Sequence, residues 1–126
     1  MNRKILTPAM HGLLDYAAAA GLIVLPFLLD LGATSPMARW LSVVAGIGLV
    51  IYSLVTDYAL GLLRVLSFRA HLVLDVAAAV VFIAAPFALG WEGLVLGYYL
   101  VMGLGVIAVV ALSTMERQAV PVPDAE

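Results

Sequence analysis

Residues 11–30, HGLLDYAAAAGLIVLPFLLD, return as residues 71–90, HLVLDVAAAVVFIAAPFALG, with ten of twenty aligned positions identical. The chain is a tandem duplication. Its two copies keep His11 and His71, Asp15 and Asp75, the small residues Ala17–Ala19 and Ala77–Ala79, and the pairs Pro26-Phe27 and Pro86-Phe87. Polar residues retained twice inside apolar sequence are expensive in a bilayer and mark a shared structural or functional need.

The whole chain of 126 residues is of the same character: 65% hydrophobic, 11% charged, with a mean hydropathy of +1.16. A soluble domain averages about 45–50% apolar and about 25% charged residues, so this chain belongs in a membrane. Four apolar runs approach the ~20 residues a helix needs to cross ~30 Å of hydrocarbon, and they are read here as Pro8 to Leu31, Ala38 to Tyr58, Arg69 to Trp91 and Gly93 to Met115. No run alternates polar and apolar residues as a barrel strand does. The expected fold is an all-α membrane protein, four transmembrane helices built from two tandem parallel two-helix repeats. The expected units within this single domain are repeat 1 at about 7–58, a connector at 57–69, repeat 2 at about 67–115 and a disordered tail at 119–126.

The basic residues are distributed asymmetrically. Arg3, Lys4, Arg64, Arg69 and Arg117 fall on one side of the four spans and Arg39 alone on the other. The positive-inside rule then puts both termini in the cytoplasm. The run after Met1–Lys4 is too long for a signal peptide and lacks a convincing small-residue cleavage site, so the first span is expected to remain. With no cysteine, disulfides, thiolate metal sites and a catalytic thiol are excluded.

Capping signals agree with the repeat. Thr7 before Pro8, Ser35 before Pro36 and Ser67 before the third span are suited to N-caps, and Gly32 and Gly90 stand where the first and third helices are expected to stop. Trp40, Trp91, Tyr98 and Tyr99 are expected at the outer interface, Tyr58 and Phe68 at the inner one. The connector from Asp57 to Arg69 is apolar but too short to span, which places Leu60, Leu62, Leu63 and Leu66 along the cytoplasmic interface. The second and fourth spans share Ile47/Ile107, Val50/Val110 and Ser53/Ser113 at the sixty-residue offset, with Gly46, Gly48, Gly103, Gly105 and the Gly93/Gly97 pair expected at close contacts.

Helical spacing gathers the repeated residues on one stripe: His11, Asp15, Ala18, Ala19, Leu22 and Pro26 in the first span, with His71, Asp75, Ala78, Ala79, Phe82 and Pro86 in the third. Small residues let membrane helices approach, so the first and third spans are expected to pack together, parallel, about a pseudo-twofold axis along the membrane normal. Both His–Asp pairs then lie at one depth near the cytoplasmic side, paired within each helix at i,i+4 or across the axis. Three readings follow: a polar clasp holding the repeats in register, a proton or ion relay, or a b-type haem held by His11 and His71. Pro26 and Pro86 each free a carbonyl one turn earlier and act as helix-end devices, with Phe27 and Phe87 beside them.

Two copies of a two-helix unit with a Pro-aromatic pair closing the first helix resemble the bacterial SPW-repeat membrane proteins. The signature corresponds to Leu25-Pro26-Phe27 and Ala85-Pro86-Phe87, and His11-Gly12-Leu13-Leu14-Asp15-Tyr16, His71-Leu72-Val73-Leu74-Asp75, Thr56-Asp57-Tyr58 and Leu60-Gly61-Leu62 also look like that group. Of the name-giving triplet, only the proline stands in both copies. The resemblance implies a small four-helix inner-membrane protein and no assigned reaction. The residues themselves carry no nucleotide loop, hydrolase triad or metal-ligand cluster beyond two histidines. The expectation is a non-enzymatic accessory or scaffold subunit without cofactor, catalytic residue or metal, in contact with lipids and other membrane-protein subunits and not with nucleic acid or a soluble substrate. The alternative is a minimal proton- or ion-handling transporter built on the His–Asp pairs.

Overall fold

The computed structural model describes residues 7–57 and 61–119, with side chains described as far as Ser113. Four helices run in order: α1 (Pro8–Leu28), α2 (Pro36–Leu54), α3 (Phe68–Leu89) and α4 (Gly93–Ala119), with a 3₁₀ turn at Leu31–Ala33 between the first two. Each is long and apolar enough to cross a membrane. The protein is an all-α, multi-pass membrane protein.

Three helix starts follow the chemistry of their caps. Thr7 Oγ1 accepts from Met10 N, Ser35 Oγ from Met37 N and Ser67 Oγ from Ala70 N, each at 3.1 Å, which satisfies N–H groups that have no intrahelical partner. The stops differ. α3 ends at Gly90 in the left-handed region (φ 71°), as expected, but α1 ends four residues before Gly32, and Asp30 takes the left-handed turn (φ 52°). Asp tolerates that conformation better than most residues with a side chain. Here its carboxylate also meets Arg39 Nη2 at 3.2 Å, and the guanidinium of Arg39 lies over the Phe27 ring at 4.9 Å.

The end of α2 is finished by the connector. Leu54 O accepts from the backbone N–H groups of Leu62 and Leu63, Val55 O from those of Val65 and Leu66, and Asp57 N donates to Leu66 O. Carbonyls that the last helical turn leaves open are thereby used, and Thr56 is pinned in a bridge to Leu66. Leu62, Leu63 and Val65 point outward, whereas Leu66 is half-buried. Leu60, Tyr58, Arg3, Lys4 and the tail beyond Ala119 lie outside the described residues, as does the side chain of Arg117.

Packing pairs α1 with α2 and α3 with α4, while α1 and α3 approach at few points. This corrects the expectation that the alanine stripes of α1 and α3 close on each other. Ala17, Ala18, Ala78 and Ala79 instead line a cavity of about 450 Å³ bounded by all four helices. Small side chains on facing helices leave space when other contacts hold the backbones apart. The close approaches are within each half, where Gly46 of α2 sits on Ala19 and Leu22, and Gly103 of α4 on Ala79 and Phe82. A Cβ at either glycine would lie 2.8 Å from an isoleucine side chain. At Gly48, Gly93, Gly97 and Gly105 a Cβ would meet nothing within 4 Å, so these four are not contact glycines.

These contacts also reset the alignment of the second helices. Ala19/Ala79 and Leu22/Phe82 keep the offset of sixty, but Gly46 and Gly103 differ by fifty-seven, as do the helix starts Pro36 and Gly93. The first loop is longer than the second, seven residues (Leu29 to Ser35) against three (Gly90 to Glu92), and α3 is one residue longer than α1. The structural counterpart of Ser113 is therefore Thr56, not Ser53.

The end of the bundle near Pro26 and Pro86, the outer end of the expected topology, is an aromatic core. Trp91, Tyr98 and Tyr99 are buried, not placed at the interface, and only Trp40 of the expected outer anchors is exposed. Tyr99 donates to Ala38 O at 2.5 Å, and Tyr98 lies 2.6 Å from Ser42 Oγ. Ser42 donates to Leu22 O at 2.8 Å, the carbonyl that Pro26 leaves without its usual i+4 donor. Pro26 and Pro86 are buried while Phe27 and Phe87 face outward.

Candidate functional site

At the other end of the bundle, four ionisable side chains converge. His11 and Asp15 come from the first turns of α1, His71 and Asp75 from those of α3, because i,i+4 spacing stacks each pair on the inward stripe. The imidazoles are fully buried and the carboxylates nearly so. The shorter contacts cross between the halves: His11 Nε2 lies 3.0 Å from Asp75 Oδ2 and His71 Nε2 2.8 Å from Asp15 Oδ2. The contacts within each helix are longer, 3.3 Å for His11–Asp15 and 3.4 Å for His71–Asp75. All four residues named from the sequence are brought together.

The outer nitrogen of each ring is held the same way in both halves. His11 Nδ1 lies 2.8 Å from Ser113 Oγ, and His71 Nδ1 lies 2.8 Å from Thr56 Oγ1. Each hydroxyl has one proton and donates it to its own i−4 carbonyl, Ser113 to Val109 O and Thr56 to Tyr52 O. Both hydroxyls must then accept from Nδ1–H, which fixes the tautomer and directs both Nε2 atoms at the carboxylates. A bare Nε2 lone pair would repel a carboxylate oxygen at 2.8–3.0 Å, so a proton occupies each crosswise contact. With two protons held this way, two imidazoles and two carboxylates are neutral as a group. That neutrality is what allows ionisable side chains to sit in a low-dielectric interior.

Four further residues complete the site, Ser113 and Thr56 together with Tyr52 and Phe68, and sequence reasoning did not assign them to it. Tyr52 donates to Asp75 Oδ1 at 2.6 Å, and its ring stands edge-on to His71. Phe68, expected at the interface, is buried with its ring 5.2 Å from that of His11 and 6.2 Å from that of His71, covering the cluster from the start of α3. Thr56 is visible in sequence only once the second helices are aligned at fifty-seven. On the far side of the cluster the carboxylates and Tyr52 form the polar floor of the central cavity, whose walls are otherwise apolar. The exposed lining residues, Leu14 and Ala17 of α1 with Val101 and Gly105 of α4, put its mouth between those two helices.

The arrangement can hold the halves together, share protons over a few ångströms, or offer two nitrogens and two oxygens to one cation. No family model matches the chain, and neither the curated proteins nor the solved structures contain a match to it.

Proposed function

We propose that the chain is a non-enzymatic accessory or scaffold subunit, related to the SPW-repeat proteins it resembles, that packs against a larger complex in a bacterial inner membrane with both termini cytoplasmic. The supporting observation is a pair of glycines. In each half a Gly-x-Gly sequence uses its first glycine, Gly46 or Gly103, against the neighbouring helix, while the second, Gly48 or Gly105, has open space where its side chain would be. Glycine in a helix interior costs about 1 kcal/mol relative to alanine, and the chain's own packing gives no return at these two positions. Small residues on a lipid-facing helix surface let another helix approach closely. On α4 the face extends through Gly97, Val101, Gly105 and Ala108, all exposed.

The experiment is native purification with identification of partners, from membranes carrying the parent chain or the Gly48→Leu/Gly97→Leu double variant. A stoichiometric membrane-protein partner that is lost in the variant, with the thermal unfolding temperature not lowered, is expected. Recovery of the parent chain alone, or equal recovery of the partner by the variant, overturns the reading. Reporters fused at Met1 and after Glu126 should read cytoplasmic, and one inserted at Thr34 external.

Proton handling is the second reading, favoured by the two protons shared in the crosswise contacts. Against conduction across the bilayer, the cavity beyond the carboxylates is walled by alanine, leucine and phenylalanine, and the outer end is filled by Trp91, Tyr98 and Tyr99. A bis-histidine haem fits poorly, because carboxylate oxygens lie within 3.4 Å of both Nε2 atoms, where the porphyrin plane would have to pass.

A further inference from the structure

We propose that His11, Asp15, His71 and Asp75 form a divalent transition-metal site of the Zn²⁺ class. One ligand atom from each residue can be chosen so that all four lie within 4.8 Å of one another. A centre among them is then at most about 2.9 Å from each, and a contraction of less than about 1 Å reaches the ~2.0–2.2 Å of Zn–N and Zn–O bonds. With His11 Nε2, His71 Nε2, Asp15 Oδ2 and Asp75 Oδ2 as the ligand atoms, three N···O separations of 2.8, 3.0 and 3.4 Å lie around the edge of about 3.3 Å that a tetrahedron of such bonds has.

The second, independent observation is the shell behind the ligands. A metal-binding imidazole presents one nitrogen and donates from the other to a fixed acceptor. Both rings do so, through hydroxyls whose own protons are committed to backbone carbonyls, so Ser113 and Thr56 can only accept. Tyr52 likewise holds the Asp75 oxygen that faces away from His11. The Ser113 and Thr56 bonds hold both Nε2 atoms toward the centre, one from α4 and one from just past the end of α2. Charge favours the same occupant: two carboxylates neutralise one divalent cation, leaving the buried site as neutral as the two protons leave it. Imidazole and carboxylate in fourfold coordination suit Zn²⁺ better than Mg²⁺ or Ca²⁺, which demand six or more oxygens.

The proposal does not rest on the partner-docking face, although Val101 and Gly105 of that face also line the mouth of the cavity beside the site. Its test is titration of the purified full chain in detergent with Co²⁺, a spectroscopic stand-in for Zn²⁺. One Co²⁺ per chain, the intense visible bands of four-coordinate Co²⁺, and their loss on adding Zn²⁺ are expected. Asp15→Asn/Asp75→Asn keeps side-chain size, exchanges one anionic oxygen of each residue for an amide nitrogen, and should abolish those bands. Thr56→Val leaves every ligand in place and should weaken binding about 10–100-fold through the freed His71 ring. Absence of four-coordinate bands in the parent, or unchanged Co²⁺ affinity in either folded variant, overturns the site.

Discussion

The inner and outer ends of the bundle solve one problem with different chemistry. Both must join two halves that touch little along their middle, where the cavity lies. The outer end does it with neutral hydroxyls, Tyr99 donating to the Ala38 carbonyl and Tyr98 against Ser42 Oγ, embedded among aromatic rings. The inner end uses four ionisable side chains that are stable only as a set. Removing one group outside leaves a polar atom without a partner; removing one inside leaves a charge or a misplaced proton. The difference is one of kind, and substitutions should expose it as a difference in size and in coupling.

The largest effect belongs to the inner end. His71→Leu should destabilise the protein by about 3–5 kcal/mol, the cost of breaking a buried pair while leaving its partner behind. Because the shorter contacts run crosswise, Asp15→Leu/His71→Leu should recover much of that loss, since His11 and Asp75 remain paired at 3.0 Å. His71→Leu/Asp75→Leu should recover less, since the surviving pair, His11 and Asp15, is separated by 3.3 Å. Unfolding in detergent of the parent, of these variants and of Asp15→Leu and Asp75→Leu alone, compared as two double-mutant cycles, measures this. Equal recovery by the two double variants would break the crosswise account.

At the outer end the effects are smaller and should add independently. Ser42→Ala strips the donor from Leu22 O and the partner from Tyr98 OH, and an unsatisfied buried group costs about 1–3 kcal/mol. Tyr99→Phe removes one donor from Ala38 O, a carbonyl within α2 that can keep its helical bond, so about 1 kcal/mol is expected. Combining Ser42→Ala with His71→Leu should give the sum of the single effects, measured by the same unfolding assay. Strong coupling would mean that the cavity does not insulate the two ends.

How far the sequence could be read follows the same division. The inner four residues were legible because a 3.6-residue period fixes which side chains share a face, and apolar surroundings make each His and Asp conspicuous. Their partners were not. The loops differ by enough that α4 pairs with α2 at fifty-seven, and a three-residue slip is close to one helical turn. Ser53 and Thr56 thus both lie on nearly the same side of α2, and periodicity cannot choose between them. Ser53, the apparent match, has a buried hydroxyl with no hydrogen-bond partner among the described residues, while Thr56 binds His71. At the outer end Trp91, Tyr98 and Tyr99 were read as interfacial because tyrosine and tryptophan near helix ends commonly are. A tyrosine hydroxyl that reaches a carbonyl on a neighbouring helix satisfies its polar tip inside the core, and composition carries no sign of that.

Between the two ends, paired glycines provide the smallest and most discriminating test. Gly46→Ala and Gly103→Ala should each destabilise by about 1–3 kcal/mol, because the new Cβ would press on Ile23 or Ile83 and on the backbone oxygen of Ala19 or Ala79 at 3.0–3.1 Å. Backbone oxygen cannot swing aside as a side-chain end can. Two residues further on, Gly48→Ala and Gly105→Ala meet nothing and should instead stabilise the isolated chain by up to about 1 kcal/mol through helix propensity. Thermal unfolding of the four single variants in detergent gives the signs directly. If Gly48→Ala destabilises the chain as Gly46→Ala does, the glycine is needed within the fold and its outward face is not held open for a neighbour. Opposite signs at two glycines two residues apart would locate the boundary between what the fold requires and what an outside helix would use.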